Sequence, residues 1–439
     1  MTAGLFRDAS RRIVGMSGPF VAAIVSRGGQ TLLAVYLARK LGAGGYGTFI
    51  FATGAAILGG LTADFGWPNV VNREIPQHQR DQNWGLLRGL LQTSDRFILL
   101  LSTALAGVML ICAELIPHLA LGFQGAALLV VPMAFIQMRQ QELAAVNRAT
   151  IGMLLDQGMS ATIVLGVNLI YPMDVMGLVA TYALATTALV LCGSALFRSR
   201  LPPQAREAVP QYTIRRWLGA SAAMFGALLP RVLVTRFDVL LVAPFAGVAE
   251  AGLFGAALRL TLLMTFPQYI LQTLVLPRFS RAFASGDHAR VRRLLMGSMA
   301  FATATTLPII LPIAIMPGAI MHLFFGDEFV AGGPTVFWLG FGQFAIAASI
   351  PLAAMIGMGG DQRALGRQGL VILALTFAVG WLIIPQYGAV GAALVATGAN
   401  LALTIGMCWL ALPILRWSGT AGPAGGLGAQ APNHGPQDD

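Results

Sequence analysis

Charged side chains are what this chain lacks. Asp, Glu, Lys and Arg make up only 10% of its 439 residues, where soluble domains carry about 25%. A deficit of that size, spread along the whole length, excludes an ordinary water-soluble globule. Lysine is nearly absent, Lys40 being the only one. The three cysteines, Cys112, Cys192 and Cys408, lie within or at the ends of apolar runs and have no metal-ligand spacing, so they read as helix-packing residues. Of the five histidines, His118, His288 and His322 lie near span ends, His78 in a loop and His434 in the tail, with no shared spacing. There is no Walker loop, no His/Glu metal pair on one helix face and no nucleophile with a placed base. Neither an enzyme nor a cofactor is expected.

What is present is apolar length. Hydrophobic residues make up 56% of the chain, with a mean hydropathy of +0.73. Runs of about 20 apolar residues, enough to cross a bilayer, recur to about residue 415. Twelve spans are expected, at about 13–38, 46–66, 95–116, 123–142, 150–171, 176–197, 217–244, 252–276, 294–321, 332–357, 367–385 and 389–412. Arg139, Gln140, Gln141 and Glu142 interrupt the fourth and fifth. The first run is too long for a cleaved signal peptide and lacks its cleavage site. The fold class is an all-α polytopic membrane protein.

The net charge of +10 is a topology signal. Arginines crowd the N-terminus, every second loop and the end of the last span, whereas the opposite loops hold only Arg39 and Lys40. The rule that basic loops stay inside places both termini in the cytoplasm. These loops suit anionic lipid headgroups; no nucleic-acid partner is expected. Trp67, Trp84, Trp217, Trp409 and Trp417 lie at or near span ends, where interfacial aromatics belong. Residues 418–439, rich in Gly, Pro and Ala, read as a disordered cytoplasmic tail.

A six-helix unit occurs twice. Leu41-Gly-Ala-Gly-Gly-Tyr-Gly-Thr-Phe49 answers Phe245-Ala-Gly-Val-Ala-Glu-Ala-Gly-Leu-Phe254, and Gln157-Gly158-Met159 answers Gln368-Gly369-Leu370, at offsets a little over two hundred residues. Twelve transmembrane helices thus divide into two pseudo-symmetric six-helix lobes, 1–205 and 217–417, joined by a cytoplasmic linker at 206–216. Their shared orientation sets the pseudo-two-fold axis along the membrane normal, the usual frame for alternating access.

Five arginines fall inside the spans: Arg27, Arg96, Arg231, Arg236 and Arg259. An arginine at a helix centre costs roughly 2.5–3.5 kcal/mol on the insertion scale, so such residues line a wet cavity or neutralise a charge. Arg27 lies roughly 21 Å along the first span at 1.5 Å per residue, beside Ser26, Gly28, Gly29 and Gln30. Arg259 lies about 10 Å into the eighth span and Arg236 about as deep in the seventh. Arg231 and Asp238, seven apart, share one helix face. The substrate-binding set is therefore Arg27, Gln30, Arg231, Arg236 and Arg259, with Asp238 for ion coupling or charge balance. The planar guanidinium fork suits a diphosphate and does not titrate. The competing reading is a set of structural ion pairs. Arg96, with Asp95, is close enough to the surface to be interfacial. Asp64, near the cytoplasmic end of the second span, is placed to pair with Arg73 or to be hydrated.

Four stretches carry a family likeness: Leu37-Ala-Arg-Lys-Leu-Gly-Ala-Gly-Gly-Tyr-Gly47; Asp238-Val-Leu-Leu-Val with Gly252-Leu-Phe-Gly-Ala-Ala-Leu-Arg259; Leu276-Pro-Arg-Phe-Ser280 before Ala284-Ser-Gly-Asp287; and Phe324-Phe-Gly-Asp-Glu-Phe329. Over residues 13–412 the chain resembles the polysaccharide transporters, the O-antigen and oligosaccharide flippases of the multidrug/oligosaccharidyl-lipid/polysaccharide (MOP) flippase superfamily. The resemblance implies the MOP flippase fold and a flippase that moves a polyprenyl-diphosphate-linked oligosaccharide across the bacterial inner membrane by alternating access. Its partners would be that lipid, the membrane lipids, and polysaccharide polymerase and export machinery. Two other classes stay open: an ion-coupled drug or cation antiporter, which wants an acidic lumen, and a polytopic polysaccharide polymerase or ligase, which wants a large outer loop.

Overall fold

In the computed structural model the backbone is described for residues 2–264, 275, 278–283, 285, 287–359 and 362–416, and side chains for these except 2–25, 227–240, 288, 348, 357–359, 362, 363, 365 and 413–416. Among the described residues every regular element is helical. That is what a lipid solvent dictates, because a helix satisfies its own backbone groups. In chain order the helices are α1 (Thr2–Asp64), α2 (Trp67–Arg80), α3 (Trp84–Leu115), α4 (Ala120–Ala145), α5 (Ala149–Leu154), α6 (Gln157–Ile170), α7 (Val175–Arg200), α8 (Pro203–Glu207), α9 (Ile214–Ala246), α10 (Val248–Leu262), α11 (His288–Ile315), α12 (Pro317–Phe325), α13 (Gly333–Gly359) and α14 (Gln362–Arg416).

Seven helices among the described residues are long and apolar enough to cross a membrane. Two are double: α1 breaks at Gly42 (φ 68°) and α14 at Gly388 (φ 55°). The break residue needs a left-handed backbone, which only glycine adopts cheaply. A carboxylate caps the restart of each second arm. Glu328 Oε2 accepts from Ala43 N at 2.9 Å, and Glu250 Oε2 accepts from Ala389 N at 2.8 Å. Gly247 (φ 94°) makes the α9–α10 turn, at the position the repeat pairs with Gly42. α9, α10 and the shorter α6 coincide with further expected spans; beyond residue 264 most of the eighth, 252–276, lies outside the described residues.

The fourth span runs unbroken through Arg139–Glu142, because its charges are neutralised internally. Arg139 Nη1 bonds Glu142 Oε2 at 2.7 Å and Nη2 bonds Asp95. The fifth span is broken instead: α5 ends at Leu154, and Asp156 caps the start of α6, accepting from Gly158 N at 2.8 Å and Met159 N at 3.1 Å. Neither reading of Asp64 holds. Its side chain is 3% exposed, one oxygen lacks a hydrogen-bond partner, and Arg73 turns to Glu74 at 3.0 Å.

The core explains how the halves meet. At the Gly42 end one hydrophobic cluster runs through both halves, from Tyr46 and Phe49 to Phe254, Ile310, Phe329 and Ile384. At the arginine-rich end the described residues form two clusters, one around Trp67, Leu87 and Phe197, the other around Phe279, Leu295 and Met355. Trp67 and Trp217 are not interfacial: both are essentially buried in the first of these two. Trp217 anchors the base of α9 to the first half, where Ser221 Oγ also donates to Phe65 O and the Phe65 and Phe225 rings lie 4.8 Å apart. Farther along, Phe245 packs on Trp381 of α14.

In α2, outside the spans, His78 is buried beside Glu74, and burial lowers its pKa from 6.5 against the pull of that carboxylate. The unfolded chain therefore binds the proton more readily. Stability at α2 is full above pH 6.5 and declines as pH falls through that value. The protection factors of the α2 amides, exchange rates normalised to the intrinsic rate at each pH, are expected to fall between about pH 7.5 and 5.5, and His78→Gln to remove that dependence.

Candidate functional site

One face of α1 is built for close approach. Ser26, Gly29, Leu33 and Leu37 are buried at helical spacing. A Cβ on Gly29 would fall 2.0 Å from Thr162 Oγ1, and one on Gly158 would fall 2.2 Å from Ser26 Oγ. Small residues thus let α1 and α6 touch, and Ser26 Oγ donates to Asp156. With that face committed, Arg27, Gly28, Thr31 and Leu32 look the other way. They line a cavity of about 440 Å³, closed on its far side by Arg259, Leu262 and Leu263.

Arg259 reaches this cavity from the second half of the chain. Its Nη1 donates to Gln30 Oε1 at 3.0 Å. The same guanidinium borders a smaller pocket of about 30 Å³ inside the first half, with Gln30, Tyr46, Thr53, Gln157 and Tyr182. The Tyr46 hydroxyl is fully buried, with Arg259 as its charged neighbour; Tyr182 donates to Gln157 O at 2.9 Å.

Three of the expected site residues, Arg27, Gln30 and Arg259, are therefore together at one cavity although more than two hundred residues separate Arg259 from the other two. The side chains of Arg231, Arg236 and Asp238 lie outside the described residues; their backbone is in the middle of α9. Arg96 is exposed on α3. Asp156, Tyr46 and Tyr182 were not among the expected residues. Asp156 carried a readable signal, an Asp opening an apolar run as a helix cap does; a tyrosine in an apolar run carries none. Among the described residues no cluster of His, Cys, Asp and Glu could hold a metal.

Asp156 is the support for Arg27: it caps α6, holds the adjacent Ser26 and acts electrostatically on Arg27. Asp156→Ala is expected to cost about 1 kcal/mol of local stability through the lost cap. Loss of its negative charge should also raise the affinity of the cavity for anions, in Asp156→Asn as well, which keeps most of the capping. Anion titration of both purified variants, monitored by melting temperature, checks this.

Residues 18–283 match the polysaccharide biosynthesis protein family. The chain belongs to that family. Solved structures agree on the fold. The lipid II flippase MurJ in an inward closed conformation superimposes with a TM-score of 0.69 at 13% identity, over 89% of this chain and 86% of that one. An inward-facing multidrug resistance MATE family transporter of the MOP superfamily gives 0.68 at 15%, over 92% and 98%. The MATE multidrug transporter DinF-BH, solved as a complex, gives 0.54 at 14%, over 91% and 94%. No curated protein matches the chain. This family member thus has the MOP flippase fold, an all-α multi-pass membrane architecture.

Proposed function

We propose that the protein is a flippase that translocates a polyprenyl-diphosphate-linked oligosaccharide across the bacterial inner membrane for cell-surface polysaccharide biosynthesis. The observation that carries this reading is the cavity shared by Arg27 and Arg259. Two guanidinium-bearing side chains, one from each half, border one volume whose other walls include Leu32, Leu262 and Leu263. A diphosphate offsets the cost of placing both charges there, while the leucines leave an apolar flank beside which the prenyl tail stays in the bilayer. The two clusters at the arginine-rich end support entry from the cytoplasm, with both termini on that side. The lobes 1–205 and 217–417, linked by 206–216, rock to expose the headgroup outside, where polymerase and export machinery receive it. Membership of a polysaccharide biosynthesis family supports a saccharide cargo.

The antiporter reading wants carboxylates in the lumen, whereas the sequence sets Asp238 as the one deep carboxylate against several arginines. The test is translocation in proteoliposomes of a fluorescent prenyl-diphosphate-linked sugar, read by its protection from a membrane-impermeant quencher. Protein-dependent translocation is expected. Efflux of cationic dyes with no movement of the sugar lipid would replace this reading with the antiporter.

A further inference from the structure

Arg259 belongs to two sites at once, and that placement has a mechanical consequence. Among the described residues, the others around the smaller pocket come from the first half of the chain, including Gln30, Tyr46 and Thr53 from α1, Gln157 from α6 and Tyr182 from α7. Arg259 crosses to them from the second half, and it is fastened there by the 3.0 Å bond to Gln30 Oε1. It shares a face of α10 with Gly252, two helical turns away. At Gly252 the backbones of α1 and α10 touch, an added Cβ falling 2.1 Å from Ala43 O. The arginine thus sits just beyond the seam that closes the Gly42 end, bordering the larger cavity as well.

The bond to Gln30 takes one of the five N–H donors of the guanidinium and holds Nη1 toward α1, so a phosphate that draws on Nη1 competes with the amide for that nitrogen. An amide oxygen is a neutral acceptor, whereas a phosphate carries the opposite charge and accepts from the guanidinium at two points at once. The arginine stays charged throughout, so the exchange depends on which acceptor is present and not on pH. We propose that Arg259 is an exchangeable tether: in the empty protein it fastens the second half to Gln30 in the first, and an anionic headgroup in the larger cavity draws it away and frees the halves to rock. Gln30 is then a positioning residue that competes with the cargo. The inference rests on the anionic cargo proposed above, and it adds a reason why an unloaded carrier does not cycle.

The test uses the full-length protein in lipid nanodiscs, with Cys112, Cys192 and Cys408 replaced and spin labels at Gln77→Cys and Arg293→Cys, both exposed and one on each half. The probe is farnesyl diphosphate, and the readout is the distance distribution between labels. In the otherwise unchanged protein the probe is expected to shift the distribution. Gln30→Leu should show the shifted population without probe. Gln30→Glu, which keeps Arg259 paired and preserves the fold, should raise the half-effective probe concentration at least about tenfold, equivalent to about 1.4 kcal/mol. A response to the probe with both Gln30 variants indistinguishable from the parent would overturn the tether and leave the flippase reading standing. A probe-free shift in Gln30→Leu with no response of the parent to the probe would instead overturn exchange by an anion, and the proposed cargo with it.

Discussion

Arg259→Ala is expected to abolish translocation of the sugar lipid, by about a hundredfold or more, with the protein still inserted in the membrane. Hydrogen bonds to a charged group contribute about 1.5–3 kcal/mol each, so a bidentate contact accounts for at least two factors of ten. The loss reaches beyond affinity, because Arg259 borders the cavity and also bonds to the first half. Arg259→Lys keeps the charge but not the fork and should fall between parent and alanine. Arg27→Ala should be nearly as severe, since Arg27 faces the same cavity from α1. Export of surface polysaccharide in cells, with the variants quantified in membrane fractions, checks all three. Normal export by both alanine variants would remove the assignment of the cavity as the cargo site.

Gly47→Val is the second large effect. A Cβ at Gly47 would stand 1.6 Å from Val248 O, and one at Gly252 would stand 2.1 Å from Ala43 O. These are backbone atoms that no side-chain rotation can clear, so α1 and α10 must separate for the substitution to fit. Much of the shared core lies at this seam, including Tyr46, Phe254 and Phe329, along with the outer-turn bonds from Arg39 to Phe324 O and from Ala43 to Glu328. The expected result is a protein that cannot close its Gly42 end and transports at least about tenfold less, corresponding to about 1.4 kcal/mol or more against closure. Thr53→Cys, at the smaller pocket, should become reactive to an impermeant maleimide from that side in the Gly47→Val background only. Equal labelling in both backgrounds would show that closure does not depend on this contact. Gly252→Val should behave alike, because it meets the same seam from the other helix.

Much of the fold was legible because a bilayer imposes a simple rule: apolar residues in lengths of about 20, helical throughout. The spans followed from hydropathy, and two of the glycines between spans, Gly42 and Gly247, take the left-handed backbone at which the chain breaks or turns. Features that depend on partners were harder to read. Arg139 and Glu142 looked like an interruption although they pair with each other, and the second carboxylate on Arg139, Asp95, is distant in sequence. Trp67 and Trp217 looked interfacial because position along a span does not reveal which face is covered. Asp64 and Arg73 are close enough in sequence to pair, yet Arg73 has a nearer carboxylate in Glu74.

The candidate site divides in the same way. Its chemistry, arginine in an apolar run beside small and polar residues, was visible at Arg27, Gln30 and Arg259 one by one. That they converge was decided by Gly29 and Gly158, whose missing side chains let α1 lie against α6 and turn Arg27 outward. The tyrosine pocket around Arg259 was invisible in the chain, since Tyr46 and Tyr182 meet only when α1 and α7 pack. Sequence alone determined that this protein is a bundle of membrane helices carrying cations at depth, because burial in lipid constrains composition residue by residue. Tertiary structure decided which of those cations share a cavity, because helix rotation and approach are set by packing between segments far apart in the chain.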